Sequence, residues 1–462
     1  MFFYLCWTYK NMGCIFMCMR KIMRNKKSEN LKTKKMKVKF IWASAMASML
    51  LFSCNSENED FYPESDSKDS GDLPTSYKVS PDEAQLIVLD FMNGLSSSPT
   101  RGIAGNREIS DIKVLKRSSL ETRAAENLSI DLDTLMYFVN FSNNQGYAIV
   151  SADKRTEPIF AFVESGNFSL DSTFTEEDDP FLEFLDRAIS TEIEDINNYV
   201  PSSAETRTTV NGWTINSSYG PILKTQWSQG GKSSDSYGKY CPNYTTGCTV
   251  TATAQIMSHF KTISSVSWKS GSSSGSATMH WYTIVSDSER YNGMLYSSTT
   301  PQSLEEVAQF CRYLGVCFGA KYNSNSTSVD KDEPIKWFNK RANLNATSLK
   351  SFNESAIINA IKAGNPVYAR GNSGRKKFLG ITYSYTGGHA WVYDGYISAT
   401  KDGKTQNMIH CNWGWGPNTG NGFYASKVFN TNVGPEIYDY EVTRGSDYHY
   451  RYNLEYSIIS RK

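Results

Sequence analysis

Apolar positions near the start of the folded sequence follow a helical spacing. Ser80-Pro81-Asp82-Glu83 is a capping box with proline at the first helical position. One apolar helix face follows, marked by Ala84, Ile87, Val88 and Phe91. Residues 93–128 are polar and carry no clear period. The pattern predicts a helix from Pro81 and then a stretch without assigned structure.

Three apolar runs with strand spacing come next. Leu135 to Phe141 and Gly146 to Ser151 predict a hairpin across Asn143-Asn144-Gln145, and Ile159 to Val163 predicts a third strand. Asp179-Pro180 then caps an amphipathic helix, whose apolar side carries Phe181, Leu185, Ala188, Ile189, Ile193 and Ile196. These elements predict a compact α+β domain over residues 80–207.

The next stretch predicts a domain boundary. Pro201 to Ser218 is rich in Ser, Thr and Asn and lacks periodicity, which is typical of a linker. From Tyr219 onward, aromatic residues and glycines become dense and short strands are predicted toward the end. We therefore expect a second domain over residues 208–462.

The residues before the first helix read as a leader and a tether. A basic run precedes Met36, and Phe40 to Ser53 is mostly apolar, as is typical of a secretory signal. The stretch is shorter than the roughly twenty residues of a membrane-spanning helix; an internal hydrophobic segment is the less favoured alternative. Its Leu-x-Ser-Cys ending resembles the lipobox of bacterial lipoproteins, which implies lipidation of Cys54. We expect residues 1–53 to be an extension plus signal, with Met36 as the true start, and residues 54–79 to be the lipidated cysteine and a disordered acidic tether.

Composition narrows the classes of function. The 462 residues include 48 basic and 47 acidic ones, so nothing in the charge indicates a nucleic-acid partner. The cysteines that remain after the leader and Cys54 are odd in number: Cys241, Cys248, Cys311, Cys317 and Cys411. Because none of them forms a pair or cluster with zinc spacing, the sequence predicts neither a disulfide scaffold nor a metal, and no cofactor.

One of these cysteines stands at the start of a predicted helix. Gly247 precedes Cys248, and Ala252, Ile256 and Phe260 follow at a spacing that fits a helix buried on one face. The positive end of the helix dipole favours thiolate over thiol at that position. A lone cysteine is more often a buried structural residue, so the rest of the chain has to decide its role.

Other segments carry the groups that a cysteine nucleophile needs. His389 follows two glycines and enters a strand, where it is placed to act as the base. The amide oxygen of Asn412 is suited to accept the imidazole N–H, and Trp413 to shield that hydrogen bond from water. Gln226 is suited to donate its side-chain N–H to an oxyanion, together with the Cys248 backbone N–H. The set predicts amide cleavage through a thiolate–imidazolium pair.

Four other histidines compete for the role of base. His259 lies on the same predicted helix as Cys248, about 16 Å along the axis, which is too far. His280 and His449 lack a flanking glycine turn and a nearby orienting amide. His410 is two residues from Asn412 on one strand, so it shares the face of that side chain and stays open as a neighbour of the site.

These segments together resemble the streptopain family of secreted bacterial cysteine peptidases. The motifs are Gln226-Trp227-Ser228-Gln229, Thr246 to Met257, Gly387-Gly388-His389-Ala390, and Asn412-Trp413-Gly414-Trp415-Gly416. The resemblance covers roughly residues 210–462, and residues 146–155 are similar, more weakly, to the pro-segment of that family.

The resemblance implies a papain-like fold, with a helical part and an antiparallel β-barrel-like part, made as a zymogen behind the small α+β pro-domain. It implies Cys248 as nucleophile, His389 as base, Asn412 and Trp413 as its supports and Gln226 in the oxyanion hole. Proteins or peptides would be the substrates, and the pro-domain an intramolecular inhibitor that disturbs the histidine. The mobile active-site loop would be Gly416 to Gly422, although Pro417-Asn418-Thr419 argues against free movement; Cys241 has no counterpart we can interpret.

Maturation and location follow as expectations. An exposed linker with a basic residue predicts cleavage near Arg207. Because the chain is expected to be anchored in the membrane through a lipid on Cys54, this cut would release the catalytic domain. We expect an exported outer-membrane or cell-surface lipoprotein. Two other functions stay open: a cell-wall peptide amidase with the same Cys/His chemistry, and a surface lipoprotein that binds proteins through an inactive peptidase fold.

Overall fold

The computed structural model describes residues 77–96, 107–116, 133–169, 179–200, 212–230, 236–323, 327–378, 381–429 and 452–462. The predicted signal, Cys54, residues 55–76 of the tether, Arg207 and His449 lie outside these ranges. The prediction of a disordered tether is wrong for its last residues, 77–79, because Val79 is buried and its N–H donates to Ala152 O at 2.9 Å. Within them, no helix has both the length and the apolar character needed to cross a membrane.

The described residues of the first domain form two α-helices and four strands. Helix α1 spans Pro81–Leu95 and α2 spans Asp179–Asn197; the strands are β1 (Ile109–Lys116), β2 (Thr134–Phe141), β3 (Tyr147–Ser151) and β4 (Ile159–Val163). The predicted capping box is present, because Ser80 Oγ accepts from Glu83 N at 3.2 Å and Ser80 N donates to Glu83 Oε2 at 2.9 Å. The hairpin, the third strand and the start of α2 are confirmed.

Strand β1 is the element that the sequence analysis missed. It pairs antiparallel with β2, yet only Leu115 along it is fully buried. A strand on the edge of a sheet, half-buried on both faces, shows no clean alternation of apolar and polar residues, which explains the miss.

In the second domain, the part of the chain that the structure describes adds five α-helices and twelve strands. The helices are α3 (Cys248–Phe260), α4 (Trp281–Arg290), α5 (Pro301–Cys317), α6 (Glu333–Lys340) and α7 (Glu354–Lys362). The strands are β5 (Thr214–Tyr219), β6 (Ser265–Ser270), β7 (Ser273–Thr278), β8 (Lys321–Tyr322), β9 (Thr327–Ser328), β10 (Leu344–Ala346), β11 (Lys350–Ser351), β12 (Val367–Phe378), β13 (Ile381–Lys401), β14 (Lys404–Asn412), β15 (Gly422–Ala425) and β16 (Tyr452–Arg461). The predicted α+β class is confirmed.

One antiparallel sheet runs through both domains. Its strand order is β1-β2-β3-β4-β15-β14-β13-β12-β16-β10, with β5 also on β13 and β11 on β16. The junction lies between β4 and β15, where Val163 pairs with Gly422 and Ala161 with Tyr424. Through this junction the first domain covers an edge of the second domain's sheet that would otherwise present unpaired backbone groups.

The two faces of β13 pack against different cores. Ala390 and Val392 belong to a core with the residues of α3. Trp391 and Tyr393 belong to the core on the opposite face, which also includes Trp413 and first-domain side chains such as Phe184. This alternation along one strand decides where the residues of the site point.

Candidate active site

Cys248 is the first residue of α3, and a glycine makes its position accessible. Gly247 is the N-cap with φ +85°, a conformation that favours glycine, and a Cβ there would lie 2.7 Å from Thr327 Cβ. In the first turn of a helix the backbone N–H groups have no intrahelical partner. The N–H of Cys248 is therefore available as a donor beside its own thiol.

The Cys248 thiol touches the strand that carries the predicted base. Its Sγ lies 4.0 Å from the carbonyl oxygen of Gly388, and the backbone of Ala390 also hydrogen-bonds to it. Burial raises the pKa of Cys248 and outweighs the backbone contacts from Ala390 and Thr249 that lower it. In this state burial therefore opposes the thiolate, which the position at the helix start was expected to favour.

His389 points away from that thiol. It is 4% exposed, and its Nε2 lies 2.8 Å from the carbonyl oxygen of Trp413. Its ring stacks parallel to those of Trp391 and Trp415, with centroids 5.9 and 6.0 Å away. Since Trp391 and Ala390 occupy opposite faces of β13, the imidazole lies across the strand from the face that Cys248 contacts. Burial lowers the pKa of His389 to about 4, so the ring is neutral at pH 7.

Asn412 lies on the α3 side and bonds to other groups. Its Oδ1 accepts from Gln255 Nε2 at 3.1 Å and from the backbone N–H of Gly414 at 3.3 Å. Its Nδ2 donates to the carbonyl oxygen of Thr225 at 2.8 Å. In this state the predicted hydrogen bond from His389 to Asn412 is replaced by the contact of His389 with Trp413.

Gln255 joins three parts of the site, and the sequence analysis gave it no role. It is fully buried on α3, and its Oε1 accepts from Trp227 N at 2.8 Å while its Nε2 reaches Asn412. The helix of Cys248, the segment of Gln226 and the end of β14 are thus held together by one amide. A polar residue seven positions after Cys248, on the buried face of the same helix, was the available signal.

The side chain of Gln226 is held by Asn421. Its backbone N–H donates to Gly293 O at 2.8 Å, and its Oε1 accepts from Asn421 Nδ2 at 2.8 Å. The Oδ1 of Asn421 accepts from Trp413 N at 2.9 Å. Trp413 is 2% exposed, with its indole N–H donating to Gly420 O at 3.2 Å. Asn421 was also missed, because an asparagine between glycines is typical of any turn.

The described competing histidines have other partners. His280 Nδ1 lies 2.7 Å from Glu306 Oε1, and His259 stacks edge-on against Phe260. His410 shares a strand face with Asn412, as expected, but pairs with Asp394 Oδ1 through Nδ1 at 2.5 Å. None of the three takes the place predicted for His389.

His410 lies at the contact between the domains. Its Nε2 is 3.4 Å from Glu164 Oε1 of the first domain, and both side chains are largely buried. Burial opposes the charged imidazole, but the carboxylates of Asp394 and Glu164 raise the pKa of His410 to about 10. A positive charge is therefore held between one carboxylate from each domain.

The first domain also holds the predicted mobile loop. Glu164 N donates to Asn421 O at 3.0 Å, and Ser165 Oγ donates to the carbonyl oxygen of Pro417. Phe184 packs edge-on against Tyr424, with centroids 4.4 Å apart. The loop that carries Asn421 is thus fastened from the first domain along its length.

The described cysteines are all free thiols. Cys241 is buried and accepts from Tyr322 OH at 3.7 Å, which gives this residue a packing role. Cys311 and Cys411 are buried and Cys317 is half-buried.

Comparisons with known proteins agree with the predicted family. Residues 227–424 match the model of the Peptidase C10 family, and residues 76–189 match that of the Spi protease inhibitor. No curated protein matches the chain significantly. Among solved structures, a prointerpain A fragment from Prevotella intermedia is 17% identical, with a TM-score of 0.46, over 76% of this chain and 98% of that one. Active interpain A from the same organism is 19% identical, with a TM-score of 0.34, over 53% and 95%.

Proposed function

We propose that this chain, whose residues 227–424 belong to the Peptidase C10 family of cysteine peptidases, is the zymogen of an endopeptidase with Cys248 as nucleophile. One observation carries the proposal: the Cys248 thiol, at a helix start, contacts the two residues that flank His389. The inhibitor-like first domain, matched over residues 76–189, supports the zymogen state.

The proposed reaction starts from a thiolate–imidazolium pair of Cys248 and His389. The Sγ attacks the peptide carbonyl carbon, a C–S bond forms, and the oxygen becomes an oxyanion. The Cys248 backbone N–H and the Gln226 side-chain N–H donate to it. As the C–N bond breaks, His389 gives its proton to the leaving amine. Water deprotonated by His389 then hydrolyses the thioester and restores the thiol.

Latency in this proposal has an electrostatic and a geometric part. Burial favours the neutral forms of both Cys248 and His389, so the ion pair is not formed. The imidazole also occupies the face of β13 opposite to the one that Cys248 contacts. Activation must therefore turn His389 toward α3 and Asn412, and the two preceding glycines give the backbone the freedom to do so.

Two features hold the latent arrangement in place. The carbonyl oxygen of Trp413 binds His389 Nε2, and Trp413 is itself fixed by Asn421, whose loop the first domain fastens. We infer that removal of the first domain releases the loop backbone at Pro417 and Asn421 and thereby frees the imidazole from Trp413, while the Asn421 side chain keeps its contacts within the second domain. The proposed cut near Arg207 would separate the domains.

We also propose export and lipidation at Cys54, supported by the Leu51-Phe52-Ser53-Cys54 ending of an apolar leader. Labelling of the expressed chain with a radioactive fatty acid tests this. Label on the wild type but not on Cys54→Ala supports it, and an unlabelled wild type sinks it.

Hydrolysis assays on wild type and Cys248→Ala test the main proposal. The wild type is expected to process itself and digest casein, and Cys248→Ala to do neither. Digestion of purified cell wall with casein left intact would instead support a peptide amidase. If wild type and Cys248→Ala both fail to process themselves and to digest either substrate, the result would support a binding protein with an inactive peptidase fold.

A further inference from the structure

We propose that Asn421 is a positioning residue that sets which atom of the Gln226 amide faces the oxyanion; this inference rests on the proposed peptidase function. The argument starts from how little freedom Gln226 has. Its backbone N–H is bonded to Gly293 O at 2.8 Å, and a Cβ on Gly293 would lie 2.7 Å from Gln226 Cβ and Cγ. Backbone and stem are therefore fixed, and only the amide can rotate.

Rotation of that amide matters because its two ends are chemically opposite. Nε2 is a donor and stabilises an oxyanion, whereas Oε1 is an acceptor and repels it. The two orientations occupy nearly the same volume, so packing alone cannot choose between them. A neighbouring group with a defined donor has to make the choice.

Asn421 supplies that donor, and its own orientation is fixed by backbone groups. Its Oδ1 accepts from the N–H of Trp413 at 2.9 Å, a group that can only donate. Its Nδ2 lies 3.3 Å from the carbonyl oxygen of Gly416, which can only accept. Asn421 is completely buried, so water does not compete with these bonds.

The choice then passes to Gln226. Asn421 Nδ2 donates to Gln226 Oε1 at 2.8 Å, so this oxygen is already engaged in a hydrogen bond and faces Asn421. The Nε2 hydrogens are the ones left for the cleft. A residue outside the reacting atoms thus sets the polarity of the oxyanion hole.

The substitution Asn421→Asp tests the inference, because aspartate has the shape of asparagine but replaces the donor that faces Gln226 Oε1 with an acceptor. A carboxylate at position 421 accepts from Trp413 N as before but draws the Nε2 of Gln226 toward itself, so that Oε1 faces the oxyanion. We expect Asn421→Asp to lower kcat on an amide substrate about 100- to 1,000-fold, the loss typical of a missing oxyanion donor, with KM changed less than about threefold. Asn359→Asp is the matched control, because it adds the same charge to an exposed position on α7, outside the loop, and should keep wild-type kcat.

The decisive measurements are a double-mutant cycle and an alkylation rate, all on full-length chains processed to the mature form. If Asn421 acts through Gln226, Asn421→Asp adds less than about threefold to the loss in Gln226→Ala. Iodoacetamide alkylation of Cys248 forms no oxyanion, so Asn421→Asp should react at the wild-type rate.

Unchanged kcat in Asn421→Asp would overturn the inference while the peptidase function stands. Two other results would also overturn the inference, because each would give Asn421 a general structural role. One is a loss of kcat in the double variant equal to the product of the two single losses. The other is a slower alkylation of Cys248 in Asn421→Asp. A wild-type enzyme that fails to cleave peptides would refute the proposed function itself, and the inference with it.

Discussion

His389 Nε2 lies 2.8 Å from the carbonyl oxygen of Trp413, on the far side of β13 from the thiol of Cys248. The contact gives a buried ring nitrogen a partner one residue beyond the asparagine that was expected to hold the base. The structure therefore places the predicted nucleophile and the predicted base on opposite sides of one strand.

The contact between Glu164 and His410 should stabilise the interface between the first and the second domain. Glu164 also faces the Arg107 guanidinium, whose charge it favours. We expect Glu164→Gln to weaken the interface by about 1–3 kcal/mol, less than for an isolated buried pair because Asp394 still compensates His410. Amide hydrogen exchange of β15 in full-length Cys248→Ala measures this, with exchange about 5- to 150-fold faster in the variant.

Glu83→Gln is the control for that prediction. Glu83 pairs with Lys154 at 3.0 Å, but both side chains are nearly half exposed, and such pairs contribute little. Exchange of β15 should not change in this variant. Equal effects of the two substitutions would show that His410 has no part in docking.

Gln255 should contribute to stability through the groups it satisfies. Gln255→Met leaves Trp227 N without its acceptor and removes one of the two donors to Asn412 Oδ1 in a buried core, at an expected cost of about 2–4 kcal/mol. Gln255→Glu keeps the acceptor for Trp227 and should lie between methionine and wild type. Urea unfolding of the Cys248→Ala chain measures the order. Gln302→Met makes the same change at an exposed helix position, so its free energy of unfolding should stay within about 0.5 kcal/mol of the parent's. A loss there as large as that of Gln255→Met would contradict the role assigned to Gln255.

Glu192 should make the first domain less stable as the pH rises. Burial, with smaller contributions from Asp153 and Asp195, raises the pKa of Glu192 to about 8, above its ordinary value near 4.5. A carboxyl with a raised folded-state pKa favours folding below pH 4.5, and that advantage is lost as the pH rises toward 8. The gain in unfolding temperature from Glu192→Gln should therefore grow between pH 5 and 8.

Thr191→Val, which changes an uncharged, half-buried residue of the same helix, is the control for Glu192. Its effect on the unfolding temperature should stay constant from pH 5 to 8, because neither side chain titrates. A Glu192→Gln effect that is constant from pH 5 to 8 would mean that the carboxylate is ionised throughout.

Much of the first domain could be predicted because its signals are local. The capping box at Ser80, the hairpin before Gly146 and the apolar run of β4 each depend on neighbours within a few positions. Strand β1 depends on a partner far along the chain, and the domain junction at Gly422 joins edges that no local pattern relates.

The site divides in the same way. Residues recognisable by motif, such as Cys248 and Gln226, lie at the centre of the observed arrangement, while their roles in catalysis stay predictions. The supports Gln255 and Asn421 are ordinary amides whose importance comes only from the atoms they meet in three dimensions. The face on which His389 lies is a property of the whole zymogen, since the first domain fastens the loop that holds Trp413.

The pH dependence of Cys248 alkylation, before and after processing, tests the latent arrangement most directly. Iodoacetamide labelling is followed on the Cys248 peptide by mass spectrometry, in wild type and in His389→Ala. In the zymogen, the two proteins should react at the same slow rate from pH 5 to 7, because the imidazole does not pair with the thiol. After processing, the wild type should react about 10- to 100-fold faster at pH 5–6 and His389→Ala should not. A zymogen whose alkylation at pH 5–6 already depends on His389 would contradict the account.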